Sequence, residues 1–398
     1  MNEEQELRDR LEAVHVPPSR IEMDVVVRAG RRRALRRRSI QATGGVALAT
    51  AVLLAVPAIL ARAGAQPTVQ AGASPTTGPV EEATASADPA EPCRMTELPV
   101  PPGMKDVTAD AVDPTGRYIV GNNTVGQNFR PVMWTDGRPQ ALPVKGQSVQ
   151  VTAVNASGTA VGIATDDPKH EYVFRYANGA YTRLNTPPGN WHPYPTPAIN
   201  AAGDVVINVE PRGNVGGEGS IVLLWKAHSP TAVRLRLPAG ANAFDITDDG
   251  KIVGAMYKDG VATDAYVWDQ QGNGQKLEVP AGQTGAAYAA QGDWVTGGLW
   301  PSEATALWNL RTGEVTALGK RGPGAITAGT YGPGEAVNAS GWTVASGAVL
   351  RPGGAAAELA ATKPQFGRAW DVSDTGLVVG QALTDRGSTN LGPRVWQC

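Results

Sequence analysis

The chain has 398 residues, of which 48 are Gly and 31 are Pro, and only 18% are charged, a composition that favours many short strands over long helices. The formal charge of −2 is uneven, because residues 1–39 carry ten Arg against seven acids, whereas residues 63–398 carry 24 basic against 30 acidic side chains. A nucleic-acid binder places its basic surface on the folded domain, so this balance excludes nucleic acid as a partner.

The first 62 residues predict a membrane anchor. Residues 40–61 form 22 consecutive positions without a charge, which is long enough to cross the hydrocarbon core as a helix. Seven Arg lie between Arg28 and Arg38, directly before this stretch, and the positive-inside rule keeps residues 1–39 in the cytoplasm as a basic leader. We therefore expect a single-pass protein of the cell membrane, with a transmembrane helix at 40–62 that contacts lipid and a C-terminal part outside the cell.

Two other interpretations of this N-terminal part stay open. Residues 63–65, Ala-Gly-Ala, match a cleavage pattern, and residues 37–40 loosely resemble a twin-arginine signal, so a cleaved signal peptide is one alternative. A buried helix of a soluble protein is the other, although such a helix would show a polar face. The leader and the apolar stretch are both long for a signal peptide, which favours the anchor.

A stalk is predicted at residues 63–92. The segment is rich in Ala, Pro, Thr and acids, and its few large apolar residues follow no period. Such a sequence cannot bury enough apolar surface to offset its ordering entropy. We therefore expect a disordered linker that holds the next domain away from the membrane.

One phrase recurs seven times between residue 93 and the end of the chain. It contains an apolar residue, a turn of the type Asn/Asp-x-x-Gly, and an apolar run that ends near Gly, as in AVNASGTAVG (153–162) and DVSDTGLVVG (371–380). In this turn the Asn or Asp side chain bonds its own backbone and Gly supplies the positive φ. The turn glycines are separated by 42, 45, 47, 42, 49 and 35 residues: Gly116, Gly158, Gly203, Gly250, Gly292, Gly341 and Gly376.

A second phrase follows each copy of the first. It is an apolar run that ends in an aromatic residue, then a turn and a Leu, as in PVMWTDGRPQAL (131–142). Each repeat thus offers four short strands, a to d, and seven such repeats predict an all-β, seven-bladed β-propeller over residues 93–398. The aromatic residues at the end of strand c are expected to pack between blades: Trp134, Trp225, Trp268 and Trp308.

The last repeat predicts how the ring closes. It ends after its strand c, while residues 93–103 at the start of the repeat region match the strand d phrase. The N-terminal strand is therefore expected to complete the seventh blade. Cys93 and Cys398 then fall on neighbouring strands, which predicts a disulfide bond and an oxidising compartment.

The repeat phrases also carry a family resemblance. AVNASGTAVG (153–162) and DITDDGKIVG (245–254) resemble HAF-type extracellular repeats, and the excess of Arg over Lys with abundant Ala resembles proteins of GC-rich actinobacteria. The resemblance covers residues 93–398 as repeat units. It implies a secreted, propeller-like architecture and no particular activity.

Catalytic and metal-binding motifs are absent from the sequence. The chain has four His and two Cys, and it contains no HExxH, G-x-S-x-G or P-loop pattern. The acids in the recurrent phrases are expected to cap turns rather than bind metal: Asp113, Asp245, Asp248, Asp249, Asp371 and Asp374. We therefore expect no cofactor, metal ion or catalytic residue. The alternative is an extracellular hydrolase or lyase acting on a glycan or peptide, which perturbed acids in a channel would favour.

Long loops over blades 2 and 3 mark the candidate binding region. In a four-stranded meander the b–c loops and d–a connections share one face, and here they are residues 165–172, 187–197 and 209–220. They bring His, aromatic and charged side chains to one rim: Asp166, Asp167, His170, Trp191, His192, Tyr194 and Arg212. Such loops indicate a binding, sensing or protein-interaction module for an extracellular glycan, peptide or protein. The other interpretation is a Pro-rich loop whose Trp caps the propeller.

Overall fold

The computed structural model describes residues 92–167, 170–213, 219–319, 331–359, 366–384 and 389–398. Over these residues the chain forms 29 strands in seven antiparallel sheets. These sheets are the blades of a seven-bladed β-propeller, which confirms the predicted fold. The predicted leader and transmembrane helix, and the predicted stalk up to residue 91, lie outside the described residues. Within the described residues, no helix is long and apolar enough to span a membrane.

The strands follow one another around the ring in chain order. The first strand is β1 (Arg94–Glu97). Blade 1 contains β2 (Val107–Val112), β3 (Tyr118–Val125), β4 (Asn128–Thr135) and β5 (Arg138–Ala141). Blade 2 contains β6 (Ser148–Val154), β7 (Ala160–Asp167), β8 (His170–Ala177) and β9 (Ala180–Leu184). Blade 3 contains β10 (Trp191–Pro193), β11 (Ala198–Ile199), β12 (Val205–Pro211), β13 (Ile221–Trp225) and β14 (Val233–Arg234).

The remaining blades repeat the pattern. Blade 4 contains β15 (Ala241–Ile246), β16 (Ile252–Lys258), β17 (Val261–Trp268) and β18 (Gly274–Lys276). Blade 5 contains β19 (Thr284–Gln291), β20 (Trp294–Trp300), β21 (Ala304–Asn309) and β22 (Val315–Leu318). Blade 6 contains β23 (Ala336–Val337), β24 (Thr343–Ala345), β25 (Ala348–Leu350) and β26 (Ala356–Glu358). Blade 7 contains β27 (Phe366–Val372), β28 (Leu377–Leu383) and β29 (Asn390–Gln397).

The seventh blade is completed by the first strand of the domain. β1 pairs antiparallel with β29, in a register that runs from Arg94 opposite Gln397 to Glu97 opposite Arg394. Cys93 and Cys398 flank this pair and form a disulfide bond with their Cα atoms 4.3 Å apart. Both the shared blade and the predicted disulfide are therefore confirmed.

The core is divided into clusters of buried side chains between neighbouring blades. The predicted aromatic residues of strand c are almost completely buried there, which confirms their place in the core. Trp134 donates from Nε1 to the carbonyl oxygen of Pro99 at 2.7 Å, and Trp308 donates likewise to Glu278 at 2.6 Å. Each acceptor follows strand d of the preceding blade, so these Trp residues supply apolar area and also fix the angle between two blades.

The turns between strands a and b show the expected chemistry. In blade 1 the Asp113 carboxylate accepts hydrogen bonds from the backbone N–H of Thr115 at 2.8 Å and of Tyr118 at 2.5 Å. Gly116 closes the turn with a φ of 78°. A residue with a Cβ atom would be strained in that conformation, which explains why Gly marks the turn in every repeat.

A second set of glycines shapes strand a. In five blades strand a has a β-bulge, and a Gly on strand b lies opposite it: Gly121, Gly162, Gly254, Gly297 and Gly380. A Cβ at any of these positions would lie 1.8–2.0 Å from a carbonyl oxygen of strand a. Blades 3 and 6 have no Gly at this position. Strand a of blade 3 is interrupted between β10 and β11, where its register to β12 shifts by two residues, and strand a of blade 6 is only 2 residues long. The Gly therefore permits the bulge, and the bulge turns an extra residue toward the centre of the ring.

Candidate ligand site in the central channel

The seven strands a enclose a channel along the propeller axis. Its cavity has a volume of about 1240 Å³ and is lined by residues from every blade. At mid-height each blade contributes one residue, at the bulge or at the equivalent position: Asp110, Thr152, Pro197, Phe244, Tyr288, Glu335 and Trp370. Seven equivalent positions thus carry seven different residue types. The channel is chemically asymmetric although the backbone around it is nearly symmetric.

The two mouths of the channel differ in the loops around them. Strand a begins at the mouth formed by the d–a connections and b–c loops, here called the upper mouth, and ends at the a–b turns, here called the lower mouth. Lys105, Asp106 and Asn390 line the upper part, whereas Asp248 and Asp374 line the lower part.

Polar atoms without a hydrogen-bond partner cluster on blades 6 and 7. Among the described residues, Glu335 Oε2, Trp370 Nε1 and Gln381 Oε1 have no hydrogen-bond partner and are out of contact with solvent, and all three residues line the channel. A buried polar atom without a partner costs about 1–3 kcal/mol. Burial raises the pKa of Glu335 to about 7, although the nearby Arg368 acts in the opposite direction. This polar wall is under-satisfied, as expected of a surface that binds something else.

A cation lies on the same wall. The Arg368 guanidinium is stacked over the ring of Trp370, with its central carbon 4.2 Å from the ring centroid. Within the described residues it forms neither a hydrogen bond nor an ion pair. The side chain is half-buried, so stacking holds the charge in the channel wall without neutralising it.

The neighbouring wall, on blades 4 and 5, is aromatic. The ring centroids of Phe244 and Tyr288 are 5.2 Å apart in an edge-to-face arrangement. Behind them, Phe244 contacts Tyr257 at 6.3 Å and Tyr288 contacts Trp300 at 6.4 Å. Burial, followed by the interaction with Tyr288, raises the pKa of Tyr257 well above its usual range, so its hydroxyl stays neutral. Blades 4 and 5 therefore present a rigid apolar face to the channel.

Two acids beside the channel were assigned to turns by the sequence, and this assignment is wrong. Asp245 and Asp371 lie in strand a, before the turn. Asp371 accepts hydrogen bonds from the backbone N–H of Val112 in the next blade at 2.9 Å and of Val372 at 2.8 Å. Asp245 bonds Ala290 of blade 5 in the same way at 2.9 Å. These carboxyl groups bridge blades, whereas Asp113 caps its turn as predicted.

The predicted rim residues lie together on the upper face of blades 2 and 3, outside the channel lining. Asp166 and Asp167 end β7 and are exposed, and His170 Nδ1 is 2.6 Å from Asp167 Oδ2. His192 Nδ1 is 2.8 Å from Glu171 Oε2, and both side chains are largely covered, at 27% and 15% exposed. The structure thus forms two His–carboxylate pairs at this rim.

The aromatic residues of the rim are more integrated into the blade than a loop would allow. Trp191 lies on β10 rather than on a free connection, is half-buried against the cluster between blades 2 and 3, and donates from Nε1 to Pro188 O at 3.3 Å. The Tyr194 hydroxyl lies 3.0 Å from Ser220 Oγ, and burial raises its pKa. Arg212 Nη2 contacts Trp191 O at 3.5 Å. The expectation of an exposed loop at residues 187–197 is therefore corrected for 191–193.

The channel wall was missed by sequence reasoning, although a signal exists. In the aligned phrases one position, directly before Ala or Asp at the end of strand a, differs in every copy, from Asp110 to Trp370. Its neighbours vary much less, so variation concentrated at one inward position marks a lining residue. Across the described ranges no three or more His, Cys, Asp or Glu are grouped so as to hold a metal ion.

Comparison with known proteins gives the fold and little more. No protein-family model matches the chain, and no curated protein matches it. An oligogalacturonate lyase of Vibrio parahaemolyticus aligns over 77% of this chain and 97% of its own, with 10% identity and a TM-score of 0.49. TolB of Acinetobacter baumannii aligns over 73% of this chain and 63% of its own, with 11% identity and a TM-score of 0.39.

A third similar structure is a puromycin-hydrolyzing peptidase of Mycobacterium tuberculosis, matched over 55% of this chain and 39% of its own, with 14% identity and a TM-score of 0.38. The chain thus spans less than two thirds of the TolB and peptidase chains. Likenesses this distant carry no information about activity. What is established is a seven-bladed β-propeller, closed by a disulfide, with an asymmetric central channel.

Proposed function

We propose that this propeller binds a small polyhydroxylated ligand, such as a mono- or oligosaccharide, in its central channel. The observation that carries the proposal is the set of polar atoms without partners on one wall, at Glu335, Trp370 and Gln381. A small rotation of each side chain on binding would give each atom a partner. Sugar hydroxyl groups both donate and accept, so they match the acceptors of Glu335 and Gln381 and the donor of Trp370.

The aromatic wall supports the same ligand class. A saccharide has apolar C–H faces as well as polar edges, and the rings of Phe244 and Tyr288 offer apolar surface beside the polar wall. The cavity of about 1240 Å³ exceeds the roughly 300–1,000 Å³ of most small-molecule sites, which leaves room for more than one ring.

We further propose that the propeller works outside the cell, held by the predicted segment 40–62. The Cys93–Cys398 disulfide supports an oxidising compartment. The chain enters the propeller at Cys93, next to the end of β29 and on the face of the a–b turns. The upper mouth of the channel is then on the face opposite the stalk, where an extracellular ligand meets it first.

The binding proposal is tested by isothermal titration of the full-length protein in detergent micelles with a panel of neutral and acidic saccharides. Trp370→Phe keeps an aromatic ring at this position and removes the Nε1 donor. This variant is expected to bind the saccharide about tenfold more weakly. Trp342→Phe is the matched control, because Trp342 also stacks with an Arg but does not line the channel. Binding that is absent for every sugar, or lowered equally by both substitutions, would reject the proposal.

The alternative of a hydrolase or lyase is favoured by one residue. Glu335 has a pKa of about 7 and an unpaired oxygen, which suits a general acid or base. Asp245 and Asp371 are raised similarly but already accept two backbone hydrogen bonds each, so they do not form a catalytic pair with it. Formation of a shorter or unsaturated product from an oligosaccharide, lost in Glu335→Gln, would replace the binding function with an enzymatic one.

The rim over blades 2 and 3 remains a proposal for a second contact surface, suited to a peptide or protein. Its support is the two His–carboxylate pairs at one edge of the upper face, His170 with Asp167 and His192 with Glu171. A pull-down with His170→Ala that retains every partner of the wild type would remove this proposal.

A further inference from the structure

The Arg368 guanidinium lines the channel but takes no part in the hydroxyl contacts proposed above. It is half-buried, and stacking on Trp370 at 4.2 Å fixes its plane. No described carboxylate lies within ion-pair distance. A guanidinium held in a wall, with its donors open to a cavity, matches the flat, two-oxygen geometry of a carboxylate.

The neighbouring charges do not already neutralise Arg368. Asp106 Oδ1 accepts a hydrogen bond from Asn390 Nδ2 at 2.8 Å, and Asp110 Oδ2 accepts one from Asn122 Nδ2 at 2.6 Å. Glu335 interacts electrostatically with Arg368, but burial raises the pKa of Glu335 to about 7, so this carboxyl group is only partly ionised at neutral pH. Within the described residues no carboxylate is paired with Arg368, so its donors stay available to an anion in the channel.

The lower half of the channel has the opposite character. Asp245, Asp248, Asp371 and Asp374 line it, and no Lys or Arg accompanies them within the described lining. Burial raises the pKa of Asp245 and Asp371 to about 7, so Asp248 and Asp374 are the acids that chiefly repel an anionic group there, whereas Arg368 attracts one. The basic side chains of the described lining, Arg368 and Lys105, thus lie in the upper half, and stacking on Trp370 fixes the donor plane of Arg368.

We propose that the ligand of the channel carries a carboxylate, and that Arg368 binds this group with the carboxylate directed to the upper mouth. The inference rests on the proposed function, since it names the class of the saccharide: a sugar acid rather than a neutral sugar. Trp370 is then a positioning residue for the guanidinium as well as a hydroxyl contact.

Glucose and glucuronate are the probes, because they differ only in the carboxylate at carbon six. Titrations use the full-length protein in detergent micelles at pH 7. Wild-type protein is expected to bind glucuronate about 10- to 100-fold more tightly than glucose, as a charge-assisted pair to Arg provides. In Arg368→Gln this preference disappears, so that the ratio of the two affinities falls to about one.

Arg351→Gln is the matched control. Arg351 is stacked over Trp342 at the same 4.2 Å but does not line the channel, so this variant is expected to keep the full preference. Arg368→Lys keeps the charge without the two-pronged donor set and is expected to retain part of the preference, which covers the case in which the Gln variant does not fold.

The outcomes separate the two proposals. Equal binding of glucose and glucuronate by the wild type overturns the carboxylate inference and leaves channel binding in place. The same holds if Arg368→Gln weakens both sugars equally. If neither sugar binds, the proposed function fails and the inference fails with it.

Discussion

Replacing Asp371 by Asn removes one of the two buried carboxyl groups that bridge blades beside the channel. Asp371 accepts backbone hydrogen bonds from Val112 and Val372, and Asp245 makes the equivalent bond with Ala290. Burial raises the pKa of both acids to about 7, because the lost hydration outweighs the hydrogen bonds to the charged form.

The direction of the effect follows from where the proton binds more tightly. An acid whose pKa is raised on folding contributes stability that is complete below its unfolded pKa, near 4, and is lost as the pH rises to about 7. Folding raises the pKa of each group from 3.8 to about 7. Each group therefore lowers the free energy of unfolding of the protein by about 3 kcal/mol between pH 5 and pH 8. Asn is neutral, but its Nδ2 donor would face one of the two backbone N–H groups that Asp371 bonds. We therefore expect Asp371→Asn to cost about 1–3 kcal/mol at pH 5 and to lose less stability than the wild type between pH 5 and pH 8.

Urea unfolding followed by tryptophan fluorescence at pH 5 and pH 8 measures this. Wild-type protein should show a lower midpoint at pH 8, Asp371→Asn a smaller drop, and the double variant with Asp245→Asn the smallest. The exposed turn residue Asp269 is the control, since hydrogen bonding lowers its pKa and Asp269→Asn should leave the drop intact. Equal midpoints of the wild type at the two pH values would refute the reasoning.

Three further substitutions, one of them with a matched glycine control, test the fold itself. Gly380→Ala should unfold the protein or abolish the bulge, because its Cβ would lie 2.0 Å from Arg368 O, whereas Gly137→Ala, with open space around it, should cost only about 1–2 kcal/mol in a thermal melt. Trp191→Ala should lower the melting temperature by several degrees, since the ring packs against a core cluster; an unchanged melt would restore the exposed-loop interpretation. Cys398→Ser opens a loop of 305 residues and should cost about 6 kcal/mol in the chain-entropy model, and an unaltered urea midpoint would contradict that.

The blades were predictable because their signals are local and repeated. The turn at Gly116 and the aromatic end of strand c at Trp134 recur at a nearly constant spacing, so seven weak patterns support one another. The closing strand and the disulfide followed from one missing strand in the last repeat. The glycine opposite the bulge is also present in the phrase. Its role became clear only from the structure, in which a Cβ added at Gly121 would lie 1.8 Å from the facing carbonyl oxygen.

The channel wall could not be predicted in the same way. Its members stand about 45 residues apart, one in each blade, and they become neighbours when the ring closes. Asp371 has the appearance of a turn acid in the phrase DVSDTG, and only the bulge places it beside the axis. Residues of the rim, such as His170 and Trp191, attract attention because they cluster in sequence, whereas Glu335 and Arg368 belong to different blades.

A crystal structure of the protein with glucuronate soaked into it tests the central claim most directly. We expect sugar density in the channel, with hydroxyl groups within hydrogen-bond distance of Glu335 and Trp370 and the carboxylate against Arg368. A channel without sugar, with density instead at the rim beside His192 and Trp191, would contradict it.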